Sequence, residues 1–139
     1  MVPGARDRVF AALVDPEVLR LSIPGCEQFT ATGEDTYEAR LKIGVAGLKG
    51  TYTGRAELGD QRPPESFTLA FEGKGGPGFV RGDAAIRLTE EGAATRVDCD
   101  ADVQVGGLIA AVGSRLIEAT ARKLTADFFQ HLAGQIAAR

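Results

Sequence analysis

Hydrophobic and polar residues alternate along the middle of the chain. Within 37–45 the odd positions are apolar or aromatic, and the even positions are charged except for Gly44. A period of two is typical of a β-strand with one face in the core. The same alternation predicts four further strands, at 48–58, 66–72, 79–88 and 95–103. The acidic turn at 90–92 separates the last two, which are therefore expected to form a hairpin.

Both ends of the chain show a helical period. Apolar residues at helical spacing predict a helix over 6–14, which the Asp15-Pro16 pair ends, and a second short helix over 16–21. At 108–138 apolar residues recur every three or four positions, which predicts one long helix. Its side chains Leu116, Leu124 and Phe128 are expected to be buried against the sheet. Segregated strands and helices indicate the α+β class.

This order of elements predicts a curved antiparallel sheet wrapped around one long C-terminal helix, with two short N-terminal helices. Glycine makes up 18 of the 139 residues, and glycine is common where sheets bend. The segment 73–78 contains four glycines and one proline. It is expected to be a loop without strand pairing, which can open an entrance to the interior.

Length, charge and cysteine content narrow the function. A chain of 139 residues predicts a single domain over 1–139, and a net charge of −3 without segregated blocks argues against a nucleic-acid partner. Cys26 and Cys99 lie far apart with no histidine beside either, so neither a zinc site nor a redox pair is expected. No membrane-spanning run or secretory signal is visible, which favours the cytoplasm, and no cofactor is expected.

Five short segments, in order and at the right spacing, resemble one family. They are Asp15-Pro16-Glu17, Ile23-Pro24-Gly25-Cys26-Glu27, Leu48-Lys49-Gly50, Gly78-Phe79-Val80, and Val105-Gly106-Gly107 through Gly113-Ser114-Arg115-Leu116-Ile117. Together they are similar to the G subunit of carbon monoxide dehydrogenase, in the START and Bet v 1-like (SRPBCC) superfamily, over residues 2–132. The resemblance implies the helix-grip fold and service to a molybdenum hydroxylase. It also implies that a lipophilic ligand is carried between sheet and helix.

The chain departs from this family at both ends. Relatives usually have a full strand before the segment that matches Val2-Pro3, whereas only Met1 precedes it here. The first strand is therefore expected to be missing or truncated, which would leave the strand around Cys99 with an open edge. Some relatives have a C-terminal tail credited with membrane attachment. This chain ends at Arg139, so membrane association is not expected.

Three groups of polar residues have more than one interpretation. One group is acidic and falls on one strand face: Asp98, Asp100 and Asp102. These carboxylates could form a metal site, or they could form a solubilising outer face that pairs with Arg81 and Arg87. A second group could line a cavity mouth or simply be solvated: Lys49, Glu72 and Lys74. Cys26 could be a reactive thiol, but no nearby cation is evident, which favours a structural turn.

The inward strand positions predict an apolar cavity. Small inward residues such as Ala39, Gly54 and Gly82 cannot fill the space between a curved sheet and one helix. Tyr37 and Tyr52 would orient a polar head group of the ligand. The predicted ligand-binding residues are Leu41, Ile43, Tyr52, Leu69, Phe71, Ala84, Ile109, Val112 and Leu116.

The leading hypothesis is a non-catalytic accessory protein that binds a lipophilic molecule, such as a quinone or a lipid, and serves a molybdenum hydroxylase. An alternative is a small enzyme of the polyketide cyclase or dehydratase type, which needs an acid or base inside the cavity. Tyr37 and Tyr52 are poor bases at neutral pH, because tyrosine has a pKa near 10. A third alternative is an adaptor with a filled core. The oligomeric state is left open.

Overall fold

The computed structural model describes residues 2–44, 49–76 and 78–138, apart from the side chains at 108, 109 and 112. Two predicted cavity residues, Ile109 and Val112, therefore have side chains outside the described part. The predicted strand ends at 45 and 48 also lie outside it.

The described elements are seven strands, three α-helices and one 3₁₀-helix. They are β1 (Val2–Pro3), α1 (Arg6–Leu13), α2 (Pro16–Ser22), β2 (Cys26–Gly33), β3 (Thr36–Ile43), β4 (Gly50–Arg62), β5 (Ser66–Gly75), β6 (Gly78–Glu91), β7 (Ala94–Gly106), the 3₁₀-helix (Gly107–Val112) and α3 (Ser114–Ala138). Proline at the first position of α2 suits its start, and the Asp15 carboxylate accepts a hydrogen bond from the Glu17 amide at 2.9 Å.

The strands form one antiparallel sheet in the order β1-β7-β6-β5-β4-β3-β2. From β2 onward each strand pairs with the next along the chain, and β6 and β7 form the expected hairpin. The predicted fold class, a curved antiparallel sheet with one long C-terminal helix and two short N-terminal helices, is confirmed.

The glycine-rich segment at 73–78 is not the open loop that the sequence predicts. β5 continues to Gly75, β6 begins at Gly78, and these two residues pair in the ladder. A Cβ atom on Gly75 would lie 2.5 Å from the carbonyl oxygen of Thr51 and 3.1 Å from the Tyr52 ring. Glycine is needed here because the neighbouring strand comes so close, and the segment is a tight hairpin rather than an entrance.

The long helix begins later than predicted. The chain passes through the 3₁₀-helix and then Gly113, whose φ of 94° lies outside the helical region, before α3 starts at Ser114. Gly113 therefore separates residues that the apolar period joins into one helix.

The first edge of the sheet is nearly bare. β1 has only two residues, and it pairs with Thr95 and Ala94 at the start of β7. Among the described residues no strand lies beside the rest of β7, from Arg96 to Gly106. The expectation that the first strand is missing or truncated stays a prediction.

Candidate functional site

Apolar packing on the concave face of the sheet is divided into two clusters. The main cluster lies where α1, α2 and the last turns of α3 cover one end of the sheet, and its fully buried members include Val9, Val18, Leu88 and Leu132. The small cluster lies near the β3–β4 and β5–β6 turns. It consists of Tyr52 with the half-buried side chains of Ile43, Val80, Val105 and Ile117.

Between the two clusters each strand from β3 to β7 has inward residues that belong to neither. We call these residues, with those of α3 that face them, the middle section. Many of the strand residues are glycine or alanine, which cannot reach across to a helix. The strand residues of the middle section are Ala39, Leu41, Gly54, Ala56, Phe71, Gly73, Gly82, Ala84, Cys99, Ala101 and Val103.

The first half of the helix is less deeply buried than its C-terminal half. Leu116 and Leu124 are half-buried and belong to neither cluster, and Phe128 is half-buried against the main cluster. The expectation that all three would be buried is therefore wrong. The residues of α3 that are buried are Thr120, Leu132 and Ile136. The helix is anchored by its C-terminal half, while its first half spans a section where the sheet offers small residues.

The middle section opens along the bare edge of β7. Val103 is 47% exposed although it points to the concave face, and its inward neighbours Ala101 and Cys99 are exposed as well. The accessible surface of the molecule is 8255 Å². A compact protein of this mass would have about 6,900 Å². The molecule is therefore less compact than is usual for its mass, and part of the concave face along β7 is exposed.

The predicted ligand-binding residues fall into three groups. Leu41, Phe71, Ala84 and Leu116 belong to the middle section, and the Phe71 ring lies 3.1 Å from where a Cβ on Gly82 would be. A second group packs in the clusters: Ile43 and Tyr52 in the small one and Leu69 against the main one. The third group, Ile109 and Val112, lies outside the described side chains.

The two tyrosines do not act together on one ligand group. Tyr37 packs in the main cluster with its ring 5.4 Å from that of Phe29, whereas Tyr52 is the buried member of the small cluster. Burial raises the pKa of both hydroxyls, and for Tyr37 the carboxylates of Asp35 and Asp15 raise the pKa further. Both phenols therefore stay protonated at neutral pH.

The two thiols lie on opposite edges of the sheet, in β2 and β7. Burial raises the pKa of Cys26 and Cys99, and the carboxylate of Asp100 adds to the effect at Cys99. Since the thiolate is the nucleophile, a raised pKa makes a thiol less reactive at neutral pH.

Iodoacetamide is therefore expected to alkylate both thiols more slowly at pH 7.5 than it alkylates the unfolded chain in guanidinium. The rate should rise as the pH passes through the thiol pKa. The variants Cys26→Ser and Cys99→Ser report each thiol separately by mass spectrometry. Equal rates in the folded and unfolded chains at pH 7.5 would contradict the raised pKa values.

The outer face of the sheet is polar and its charges are arranged in cross-strand rows. In one row Arg81, Glu72, Arg55 and Glu38 stand on four adjacent strands, and Arg55 and Glu72 form an ion pair at 2.7 Å. Shallow grooves of about 500 and 940 Å³ run over this face. Glu72 and Lys74 line these grooves, on the face of the sheet opposite to the predicted cavity.

The aspartates of β7 also lie on the outer face. Asp98 stands opposite Arg87 as expected, but Asp102 stands opposite Asp83, and Arg81 donates a hydrogen bond to Gln104 at 3.0 Å. Within the part of the chain that the structure describes, no group of acidic, cysteine or histidine side chains has the arrangement of a metal site. All three aspartates are exposed on this face, as the solubilising interpretation expects.

Comparisons with known proteins agree with this architecture. The sequence profile of the family described as the G subunit of carbon monoxide dehydrogenase (CoxG) matches residues 1–137. A search of the curated proteins found no match. The crystal structure of a conserved protein from Geobacillus kaustophilus superposes on this chain with a TM-score of 0.95. The two sequences are 37% identical, and the match covers 99% of this chain and 91% of that chain.

More distant structures share the fold. An aromatase/cyclase, Zhui, from Streptomyces sp. R1128 is 21% identical with a TM-score of 0.68, over 99% of this chain and 90% of that one. A protein from Thermus thermophilus is 17% identical with a TM-score of 0.71, over 99% of this chain and 92% of that one. None of the helices in the described residues combines the length and the hydropathy that a membrane span requires. With the profile matching nearly its whole length, the chain belongs to the CoxG family, the family of the carbon monoxide dehydrogenase G subunit.

Proposed function

We propose that this protein binds a lipophilic small molecule, of the size of a quinone or an acyl lipid, in the cleft between sheet and helix. The observation that supports the proposal is the middle section, where the strands contribute mainly glycine and alanine and the facing leucines of α3 are only half-buried. Leu41, Phe71, Leu116 and Leu124 supply apolar walls that are only half-buried. Covering them with a ligand would remove apolar surface from water, which is favourable.

The chemistry of the cleft favours carriage over catalysis. Among the inward strand residues that the structure describes, Tyr37, Tyr52, Cys26 and Cys99 are ionisable and have a raised pKa. None is an effective base at neutral pH. His131 lies on α3 with its Nδ1 atom 3.1 Å from the carbonyl oxygen of Ser22, so it is engaged with α2 rather than with the cleft. The aromatase/cyclase similarity extends to the fold alone.

We further propose that the carrier serves a molybdenum hydroxylase of the carbon monoxide dehydrogenase type in the cytoplasm. Membership of the CoxG family supports this partner. Two free thiols on opposite edges of the sheet are compatible with a reducing compartment. Co-elution of the purified protein with the hydroxylase of the same genome on a sizing column tests the association, and separate elution at micromolar concentrations would contradict it.

Ligand binding can be tested with Cys99 as a built-in reporter. The protein is titrated with decylubiquinone and with oleate, and alkylation of each thiol is followed by mass spectrometry. Binding in the cleft is expected to slow alkylation of Cys99 and to leave Cys26 unaffected, because Cys26 lies on the opposite edge of the sheet. Equal rates with and without both probes would contradict the proposal. Native mass spectrometry of protein from its own host would identify a co-purifying ligand.

Filling the cleft should abolish binding. Ala101→Trp places an indole in the open part of the middle section, and it is expected to lower the affinity for decylubiquinone about 10-fold or more while the protein stays folded, since the added volume enters free space. Ala85→Trp is the matched control, because Ala85 is exposed on the outer face of the adjacent strand. Affinity is measured by calorimetry.

The chain contains no tryptophan of its own. Tryptophan fluorescence therefore reports only on the introduced indole in each variant, which gives a second readout. Unchanged quinone affinity in Ala101→Trp would show that the ligand lies elsewhere. Loss of folding in Ala101→Trp, judged by circular dichroism against Ala85→Trp, would show that the interior is filled, as the adaptor alternative requires.

A further inference from the structure

One buried polar residue of the cleft has no structural explanation. Thr120 stands on the sheet-facing stripe of α3, one helical step of four residues from Leu116 and from Leu124, and it is 7% exposed. The residues on either side along the stripe pack in the two clusters: Ile117 in the small one, and Phe128 and Leu132 in the main one. Thr120 therefore faces the middle section.

The hydroxyl of Thr120 has no hydrogen-bond partner among the described residues. It does not bond back to a carbonyl of its own helix, which is the usual arrangement for a threonine inside a helix. Its oxygen is not one of the fully enclosed unpartnered atoms of the described residues, which belong to Arg6 and Ser22. Unpartnered hydroxyls on buried residues are rare, and an apolar residue would suit this position better if the stripe served packing alone.

The neighbours of Thr120 indicate what could satisfy it. The strand residues of the middle section are apolar or glycine, apart from the thiol of Cys99 at the open edge. A ligand that fills the cleft therefore meets one hydroxyl donor on α3, surrounded by apolar walls. A carbonyl or hydroxyl oxygen carried on an otherwise apolar body matches this arrangement.

We propose that Thr120 is the specificity-determining residue of the cleft, and that its hydroxyl donates a hydrogen bond to an oxygen of the bound lipophilic molecule. This inference rests on the proposed function and narrows its ligand class to molecules with a carbonyl or hydroxyl oxygen in the apolar body, as opposed to pure hydrocarbons. Ile117, one turn earlier, lies in the cluster of Tyr52. Thr120 stands about 4.5 Å further along the helix axis than Ile117, so the proposed ligand oxygen lies next to that cluster.

The test compares two probes and two variants by calorimetry. The probes are decylubiquinone, which has carbonyl oxygens, and decylbenzene, which has a similar tail and no oxygen. Thr120→Val removes the hydroxyl at nearly constant volume, and it is expected to weaken decylubiquinone binding about 10-fold and to leave decylbenzene binding unchanged. Thr120→Ser keeps the hydroxyl and is expected to retain the preference for the quinone.

The ligand-free protein gives an independent readout. Because Thr120→Val removes a hydroxyl that has no protein partner, its thermal midpoint is expected to hold or to rise, by up to about 4 °C. A lower midpoint would show that the hydroxyl has a structural partner and would overturn the inference. Equal quinone affinity in wild type and Thr120→Val would also overturn the inference about Thr120, while the proposal that the protein binds a lipophilic molecule would stand. If wild type binds neither probe, the proposed function fails instead.

Discussion

Leu132→Ala is expected to lower the free energy of unfolding by about 2–5 kcal/mol. Leu132 is 0% exposed and joins the C-terminal half of α3 to the main cluster, which includes Val9 and Leu88. The substitution removes apolar contacts and leaves a cavity that the surrounding helices and strands cannot easily close. Urea denaturation followed by circular dichroism measures the loss.

Leu124→Ala is the matched control on the same helix. Leu124 is half-buried and belongs to neither cluster, so its truncation is expected to cost about 1–2 kcal/mol, less than that of Leu132. Equal losses for the two variants would show that the helix packs evenly along the sheet. In that case the middle section would be closed, and the proposed carriage of a ligand would lose its structural basis.

Gly25→Ala is the second substitution with a large expected effect, a loss of about 3 kcal/mol. Gly25 has a φ of 74°, and a Cβ atom there would collide with the carbonyl oxygen of Lys42. The collision involves backbone on both sides, because the Lys42 amide also donates a hydrogen bond to the Gly25 carbonyl at 2.8 Å. Neither partner can move without breaking the junction between α2 and the sheet.

Substitutions at two other glycines separate the two causes of this loss, which are the left-handed backbone conformation and the collision with the Lys42 carbonyl oxygen. Gly92 has a φ of 65° but no atom within 4 Å of its added Cβ, so Gly92→Ala isolates the conformational cost, about 1 kcal/mol. Gly134 lies inside α3 with nothing within 4 Å, and Gly134→Ala is expected to stabilise the protein by about 0.5–1 kcal/mol. A midpoint for Gly25→Ala equal to that of Gly92→Ala would show that the turn adapts.

The alternation of apolar and polar residues predicts the strands that have one buried face. It misses β2, in which only two positions, Cys26 and Phe29, are even half-buried. An edge strand of this kind is held by backbone hydrogen bonds to β3. Because these bonds do not depend on the side chains, they produce no alternation of apolar and polar residues in the sequence. The prediction for the glycine-rich β5–β6 turn is wrong for a related reason. Composition reports the flexibility of glycine but not the nearby strand that makes glycine necessary.

The helical period of α3 identifies the correct face but not what lies opposite it. Leu124 and Leu132 occupy equivalent positions in the sequence pattern, yet one faces small residues and the other the main cluster. Only the pairing of the strands shows that the small residues fall in one band across the sheet. Thr120 is recognisable in the sequence as a hydroxyl within an apolar stripe. Its lack of a partner is visible only in three dimensions.

The acidic outer face of β7 also bears on whether two copies of the chain can pair through this strand. An unpaired strand edge is a template on which a second molecule can add its own strand, and repeated addition produces aggregates. Asp98, Asp100 and Asp102 stand on one face of this strand. If two copies met antiparallel with Asp100 at the centre, Asp98 of each would face Asp102 of the other. Repulsion between these carboxylates opposes strand pairing between two copies of the chain at β7.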